Sequence, residues 1–396
     1  MKTKIIILAL FATTALGVAL FPSIQQAQAL TTVNTHTTAI QNHRIEVVFI
    51  LDTTSSMRGL IEAAKEKIWA IATTMASAKQ TPDIKMGLVA FRDRGDTYVT
   101  RVFDLSEDLD SMYASLMDFK AEGGGDGPES VNQALYDAVN RISWSDDENV
   151  YKVAFLIGDA PPHMDYVDDV KFPVTLEQAK RKGIVINTIQ SGQNHSTAPV
   201  WRTIAQLGKG EYFQVENSGN AVAVATPFDK KLSELAASLE KTLLYYGDAE
   251  AKESQKRRNA STRKLHDELS EAALARRAIF NATASGKSNL LGKGELVEAI
   301  SSGRMELDDI DRDDMPASLQ ALAPAEQMKI ITDQARRRDK IKSDIRELSE
   351  SRSRYIRQII AAEGDASESL DEKIYSAVKK QAKLKGLIYE SESASY

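Results

Sequence analysis

From Arg44 to about Val215, short apolar runs alternate with stretches of helical spacing. Ile45-Glu46-Val47-Val48-Phe49-Ile50-Leu51 is almost continuously apolar, the pattern of a strand covered on both faces by helices. Leu60, Ala63, Ile68, Ile71 and Met75 then recur on one helical face. Further strands are expected at 85–91, 98–105, 153–157 and 184–189, with 212–215 closing the sheet. A helix with proline in its first turn is expected over 128–142, and another ends near Gly183. This alternation predicts an α/β fold with a doubly wound, mostly parallel sheet. Such sheets bind ligands beyond the carboxyl ends of their strands, where the clusters Asp52–Ser56, Arg92-Asp93 and Gly158-Asp159 fall.

Past about Asn217 the strands stop and charge rises. Helices are predicted over 228–246, 249–280, 327–360 and 370–385. In the third, Ile341, Ile345, Leu348, Tyr355 and Ile359 follow the 4-3 spacing of a coiled-coil-like or helical-hairpin seam, interrupted by Arg352. Residues 44–217 thus read as one α/β domain. Residues 228–396 read as an α-helical C-terminal extension, a surface through which an oligomer could form.

The first 29 residues do not fit that plan. Lys2 and Lys4 precede an apolar run from Ile5 to Leu20, and Ala27-Gln28-Ala29 has the form of a cleavage signal. Residues 1–29 therefore read as a signal peptide, and the chain is expected to be exported to the periplasm or beyond. An inner-membrane anchor left by an uncleaved signal is the alternative. No later stretch is long and apolar enough to predict a stable membrane span. There is no cysteine, which excludes disulfides and thiolate zinc sites. The formal net charge of -6 argues against a nucleic-acid partner.

Three loops carry the candidate chemistry. Asp52-x-Thr54-x-Ser56 offers one carboxylate and two hydroxyls, hard donors of the kind that Mg²⁺, Mn²⁺ or Ca²⁺ prefers. The same triplet is also an ordinary helix N-cap cluster. Gly123-Gly124-Gly125-Asp126-Gly127-Pro128-Glu129 combines a permissive backbone with two carboxylates, or is a loop before a proline-initiated helix. Asp159 ends a buried strand, where an acid needs a partner or a cation.

Together these residues resemble the von Willebrand factor A family over roughly 44–215. The details look most like the A-like domain of integrin β subunits, with its Asp-x-Ser-x-Ser, Asp-x-Pro-Glu and Asp-Ala-x-x-His stretches. Here these correspond to Asp52–Ser56, Asp126–Glu129 and Asp159–His163, with Thr54 in place of the first serine. The resemblance implies a metal-ion-dependent adhesion site (MIDAS). Thr54, Ser56 and Glu129 would bind the cation directly, and Asp52 and Asp159 directly or through water. An open position would accept an Asp or Glu carboxylate from a partner protein. It further implies a second cation at Asp93 and Asp126, with Glu129 and the Pro128 carbonyl; Asp93 also reads as a plain turn residue. A third site needs acids where this chain has Gly59 and Leu60, so it is expected to be absent. His163 reads as a loop residue with a satisfied hydrogen bond.

Other motifs fail on spacing. Ala282–Ser288 resembles the end of a phosphate loop, but Asn281 stands at its first glycine and no strand precedes it. Asp309, Asp311 and Asp313 lack the glycine and closing acid of a calcium loop. Arg336-Arg337-Arg338 reads as a solvated helix face. The expectation is a non-enzymatic, metal-dependent adhesion or binding module. A metal-dependent hydrolase, or a structural oligomer with a vestigial site, stands as the alternative.

Overall fold

A computed structural model describes residues 43–125, 127–217, 224–363, 370–391 and 394. Residues 1–29, expected to be a signal peptide, and Asp126 lie outside the described residues. Six strands form one sheet in the order β3-β2-β1-β4-β5-β6. They are β1 (Arg44–Asp52), β2 (Asp83–Phe91), β3 (Thr100–Ser106), β4 (Tyr151–Gly158), β5 (Ile184–Ser191) and β6 (Lys209–Val215). Only β3 runs antiparallel, against β2.

Period-two alternation splits each central strand between two cores. Ile45, Val47, Phe49 and Leu51 of β1, with Val153 and Phe155 of β4, face one core. Val48, Ile50, Ala154 and Leu156 face the other. The first face is covered by α1 (Arg58–Ala76) and α2 (Leu109–Met117), the latter N-capped by Asp108. The second is covered by α3 (Val131–Asn140), α4 (Phe172–Arg181) and α5 (Thr197–Leu207).

The helical extension packs on this sheet. It comprises α6 (Asp229–Glu240), α7 (Ala249–Glu268), α8 (Glu271–Ala282), α9 (Lys287–Leu291), α10 (Leu296–Ser301), α11 (Pro324–Glu363) and α12 (Leu370–Ala382). Ile374, Tyr375 and Val378 of α12 and Phe280 of α8 join the first core. Trp69 of α1 meets Tyr113 edge-on at 5.6 Å and Phe280 at 5.9 Å, tying α1, α2 and α8 together. Gln381 exchanges hydrogen bonds with Asn187 of β5 and accepts one from Tyr151 of β4.

Buried ion pairs reinforce the seam. Lys67 of α1 meets Asp371 of α12 at 2.7 Å, and Arg277 of α8 clasps Asp110 of α2. Two sequence expectations change here. Ile341 and Ile345 are buried in a third core with α6 and α8, so that part of the α11 stripe is used within the chain. Arg338 is no solvated residue: it is 4 % exposed and forms a bidentate pair with Glu295. Arg352, which interrupts the apolar stripe, is buried against Asp229 at 2.8 Å.

Candidate metal centre

Parallel pairing sets the carboxyl ends of β1, β2 and β4 side by side: Asp52 lies opposite Phe91, and Leu51 opposite Ile157. The loops that follow carry Thr54 and Ser56, Asp93, and Asp159. Glu129 arrives by a different route. It forms a parallel bridge with Pro162, donates its N–H to the Pro161 carbonyl at 2.9 Å and accepts from the His163 N–H at 3.1 Å. This bridge takes up the residues expected as the first helical turn, so α3 starts at Val131 rather than Pro128. No acid lies in the first turn of α3, so Glu129 is not there to complement the helix dipole.

The capping reading of Asp52-x-Thr54-x-Ser56 does not hold. Thr54 stands at the N-cap of a short 3₁₀ turn, Ser55–Met57, yet makes no side-chain cap bond. Its hydroxyl donates to Asp52 Oδ1 at 2.7 Å, and its N–H donates to the same oxygen at 2.9 Å. Ser56 Oγ lies 3.3 Å from Thr54 Oγ1. The loop is therefore organised around Asp52, which is 1 % exposed, and not around the helix end.

The glycine loop packs against this turn. Ser55 N–H and Oγ both donate to the Gly123 carbonyl, and Glu122 N–H donates to the Thr53 carbonyl. Gly124 sits between two candidate ligands: an added Cβ would lie 3.3 Å from Glu129 Oε1 and 3.3 Å from Thr54 Cβ. Gly123 has φ +81°, and a Cβ there would fall 2.3 Å from Asp96 Oδ1. Asp96 thus orders the loop, accepting from the N–H of Gly124 and of Asp93. Nothing local in the sequence signals the contact of Asp96 with Gly124, 28 positions away. Gly123→Ala should cost roughly 1–3 kcal/mol through strained backbone and displaced Asp96. Urea unfolding of the variant measures this.

Ser56, Glu129 and Asp159 line one polar cleft, together with Asn194 and Asn217. The Asp159 loop is fixed from behind: Thr197 Oγ1 donates to the Asp159 carbonyl and Trp201 Nε1 to that of Ala160. Among the described residues, Asp52 Oδ2 and Glu129 Oε2 are buried without a hydrogen-bond partner. Burial, with the charge of Asp159, pushes the Asp52 carboxyl up to about 7 despite the bonds from Thr54. Burial, then the charges of Asp52, Asp93, Asp96 and Asp159, pushes Glu129 up to about 9. Among the described residues no three carboxylates or histidines gather closely enough to hold an ion alone, so any cation here relies on the hydroxyls as well.

A pH dependence follows for the metal-free protein. Both acids bind protons more tightly folded than unfolded, where they titrate near about 4. Their contribution to stability is therefore fully present below about pH 4 and is lost as pH rises through about 7 and about 9. In chelator, the protein should be less stable at pH 9 than at pH 5. A Glu129→Gln, Asp52→Asn variant should show a smaller drop, as read by urea unfolding.

Asp93 is placed differently. Ser130 Oγ donates to its Oδ1 at 2.9 Å and the Tyr166 hydroxyl to its Oδ2 at 2.8 Å. A second cation there would have to share the Asp93 oxygens with these donors. His163 stacks on Tyr166 and contacts Asp165 and Asp93, turned to this cluster.

Part of the chain is similar to known proteins. Residues 46–220 match the family model of the von Willebrand factor A domain. The alpha-protein kinase vwkA of Dictyostelium discoideum is 29% identical over 121 residues, 30% of this chain and 19% of that protein. The chain thus spans about a fifth of that relative's length. Among solved structures, proximal thread matrix protein 1 from the mussel byssus is 15% identical with a TM-score of 0.35, covering 44% of this chain and 42% of that one. Another structure of that mussel protein has zinc in its MIDAS motif. The SpRpn10 VWA domain is 13% identical with a TM-score of 0.34, covering 44% of this chain and 89% of that one. The similarity to the von Willebrand factor A domain is confined to residues 46–220, less than half of the chain.

Proposed function

We propose that this domain binds a divalent cation through Asp52, Thr54, Ser56, Glu129 and Asp159, and binds a partner protein through it. The observation that carries the reading is the pair of buried, partnerless carboxylate oxygens, Asp52 Oδ2 and Glu129 Oε2, beside two hydroxyls at one sheet rim. Uncompensated buried carboxylates are costly, and a hard cation with oxygen ligands offsets that cost. The donor set fits Mg²⁺, with Mn²⁺ or Ca²⁺ as alternatives. It lacks the thiolates and imidazoles that favour zinc.

Bound there, the cation would supply a Lewis-acidic position for an incoming carboxylate. Thr54 and Ser56, whose hydroxyl oxygens lie 3.3 Å apart, would supply two of its ligands, and Gly124 keeps the space between Thr54 and Glu129 clear of side chains. We propose a binding role and not a catalytic one, because His163 engages Asp93 and Asp165 instead of lining the cleft. Export belongs to the same proposal and rests on the N-terminal sequence. Among the described residues no helix is long and apolar enough to cross a membrane.

Calorimetric titration of metal-stripped protein with Mg²⁺ and Mn²⁺ tests the proposal. One saturable site, lost in Asp52→Ala, is expected. No heat with either ion, or an unchanged titration in the variant, would reject it.

A further inference from the structure

Eight large apolar side chains are exposed among the described residues, and four of them fall in one stretch after β4: Met164, Val167, Val170 and Val174. Val167 is 95 % exposed. The loop that carries the first three is not slack. Tyr166 is stacked on His163 at 4.1 Å, and Arg94 lies 4.1 Å from its ring centroid. Arg94 in turn pairs with Asp168 at 2.9 Å and Asp169 at 2.6 Å. Asn132 donates to the His163 carbonyl and accepts from the Phe172 N–H. A well-tied loop that still holds aliphatic side chains in water is a preformed contact surface, because little ordering remains to be done on binding.

The loop also continues the candidate metal rim. It starts at Pro162 and His163, which bridge to Glu129, and its Tyr166 hydroxyl reaches Asp93. We propose that Met164, Val167 and Val170 are the second contact for the protein whose carboxylate takes the open cation position. The occupant is an extended segment with an acidic residue a few positions from an aliphatic one. The cation selects the anionic group by charge, and the loop selects its apolar neighbour by burial. An anionic membrane suits the patch less well, since Asp165 and Asp168 flank Val167 with side chains 72% and 70% exposed. The proposal rests on the metal-site reading above.

The test uses the full chain saturated with Mn²⁺ and short labelled peptides of glycine and serine. One peptide carries a single Asp; the others add a Leu at successive distances from it. The best Asp–Leu peptide should bind roughly tenfold more tightly than the Asp-only peptide. Val167→Asp should abolish that gain and Val167→Ile should keep it, with Mn²⁺ affinity unchanged in both. If Asp-only and Asp–Leu peptides bind equally in Mn²⁺, or the gain survives Val167→Asp, the patch is no contact while the metal reading stands. If neither peptide binds in a metal-dependent way, the carboxylate reading fails and takes this one with it. If sedimentation shows self-association that Val167→Asp removes, the patch pairs two copies of the chain and the proposal is overturned.

Discussion

Glu129→Ala is expected to weaken divalent-cation binding by more than roughly 100-fold, whereas His163→Ala should leave it near the wild-type value. The parallel bridge to Pro162 brings Glu129 into the cleft, and among the described residues of its loop no other carboxylate lines that cleft. Loss of a residue that merely supports a ligand already costs about 10–100-fold, and loss of the ligand itself costs more. The isosteric Glu129→Gln separates binding from folding. It should also lose affinity, yet it should stabilise the metal-free protein at neutral pH, because it removes a buried acid crowded by Asp52, Asp93, Asp96 and Asp159. Opposite signs for affinity and stability are the signature of a site shaped for a cation. Calorimetry and urea unfolding in chelator measure the two. Equal losses of affinity in the Glu129 and His163 variants would mean that the ligand set is wrong.

Arg277→Ala should lower the stability of the whole chain by about 3–5 kcal/mol, the range for breaking a buried pair at one end. Arg277 and Asp110 are each about 2% exposed at their side chains. The guanidinium also reaches Glu240 at 2.6 Å, and Glu240 meets His266 at 2.9 Å. Burial alone would raise the Asp110 carboxyl, yet the charge and hydrogen bonds of Arg277 hold it below the ordinary carboxylate value. Without the arginine, the buried Asp110 keeps hydrogen bonds from Thr262 and Asn289 but loses its ion-pair partner. A triple replacement, Arg277→Met with Asp110→Leu and Glu240→Gln, should recover most of the loss, because no charge is then left unpaired. Urea unfolding of both variants decides this. A loss below about 1 kcal/mol for Arg277→Ala, the level of an exposed pair, would show that the extension is not docked through this contact.

The central strands were legible because burial on both faces leaves a nearly continuous apolar run. Residues 45–51 and 153–157 lie within β1 and β4 as expected. The α2 and α5 helices went unassigned, since each is short and packs on a core assembled from distant segments. The fate of α11 was hidden for the same reason. Arg352 looked like a break in a seam, and its partner Asp229 lies 123 residues away. Arg338 looked solvated, and its partner Glu295 lies 43 residues away.

The site shows the same division. Asp52, Thr54, Ser56, Glu129 and Asp159 stand out only together, by the order and spacing of the three stretches that carry them; each stretch alone has an ordinary structural reading. Their supports do not stand out: Asp96 under the glycine loop, Ser130 and Tyr166 on Asp93, and Thr197 and Trp201 behind Asp159. Each is an ordinary polar or aromatic residue whose role is set only by tertiary contact. The choice between a capping turn and a ligand loop at Thr54 could not be made from spacing, since both use the same residues. In the structure the Thr54 hydroxyl donates to Asp52 and makes no cap bond.

The most direct test is a crystal of the protein grown with Mn²⁺ and measured at an anomalous wavelength. An anomalous peak within about 2.0–2.3 Å of the Ser56 hydroxyl and a Glu129 oxygen is predicted, with Asp52 and Asp159 in direct or water-bridged contact and one position held by solvent. No peak at this rim, or a peak whose ligands omit both Ser56 and Glu129, would contradict the account.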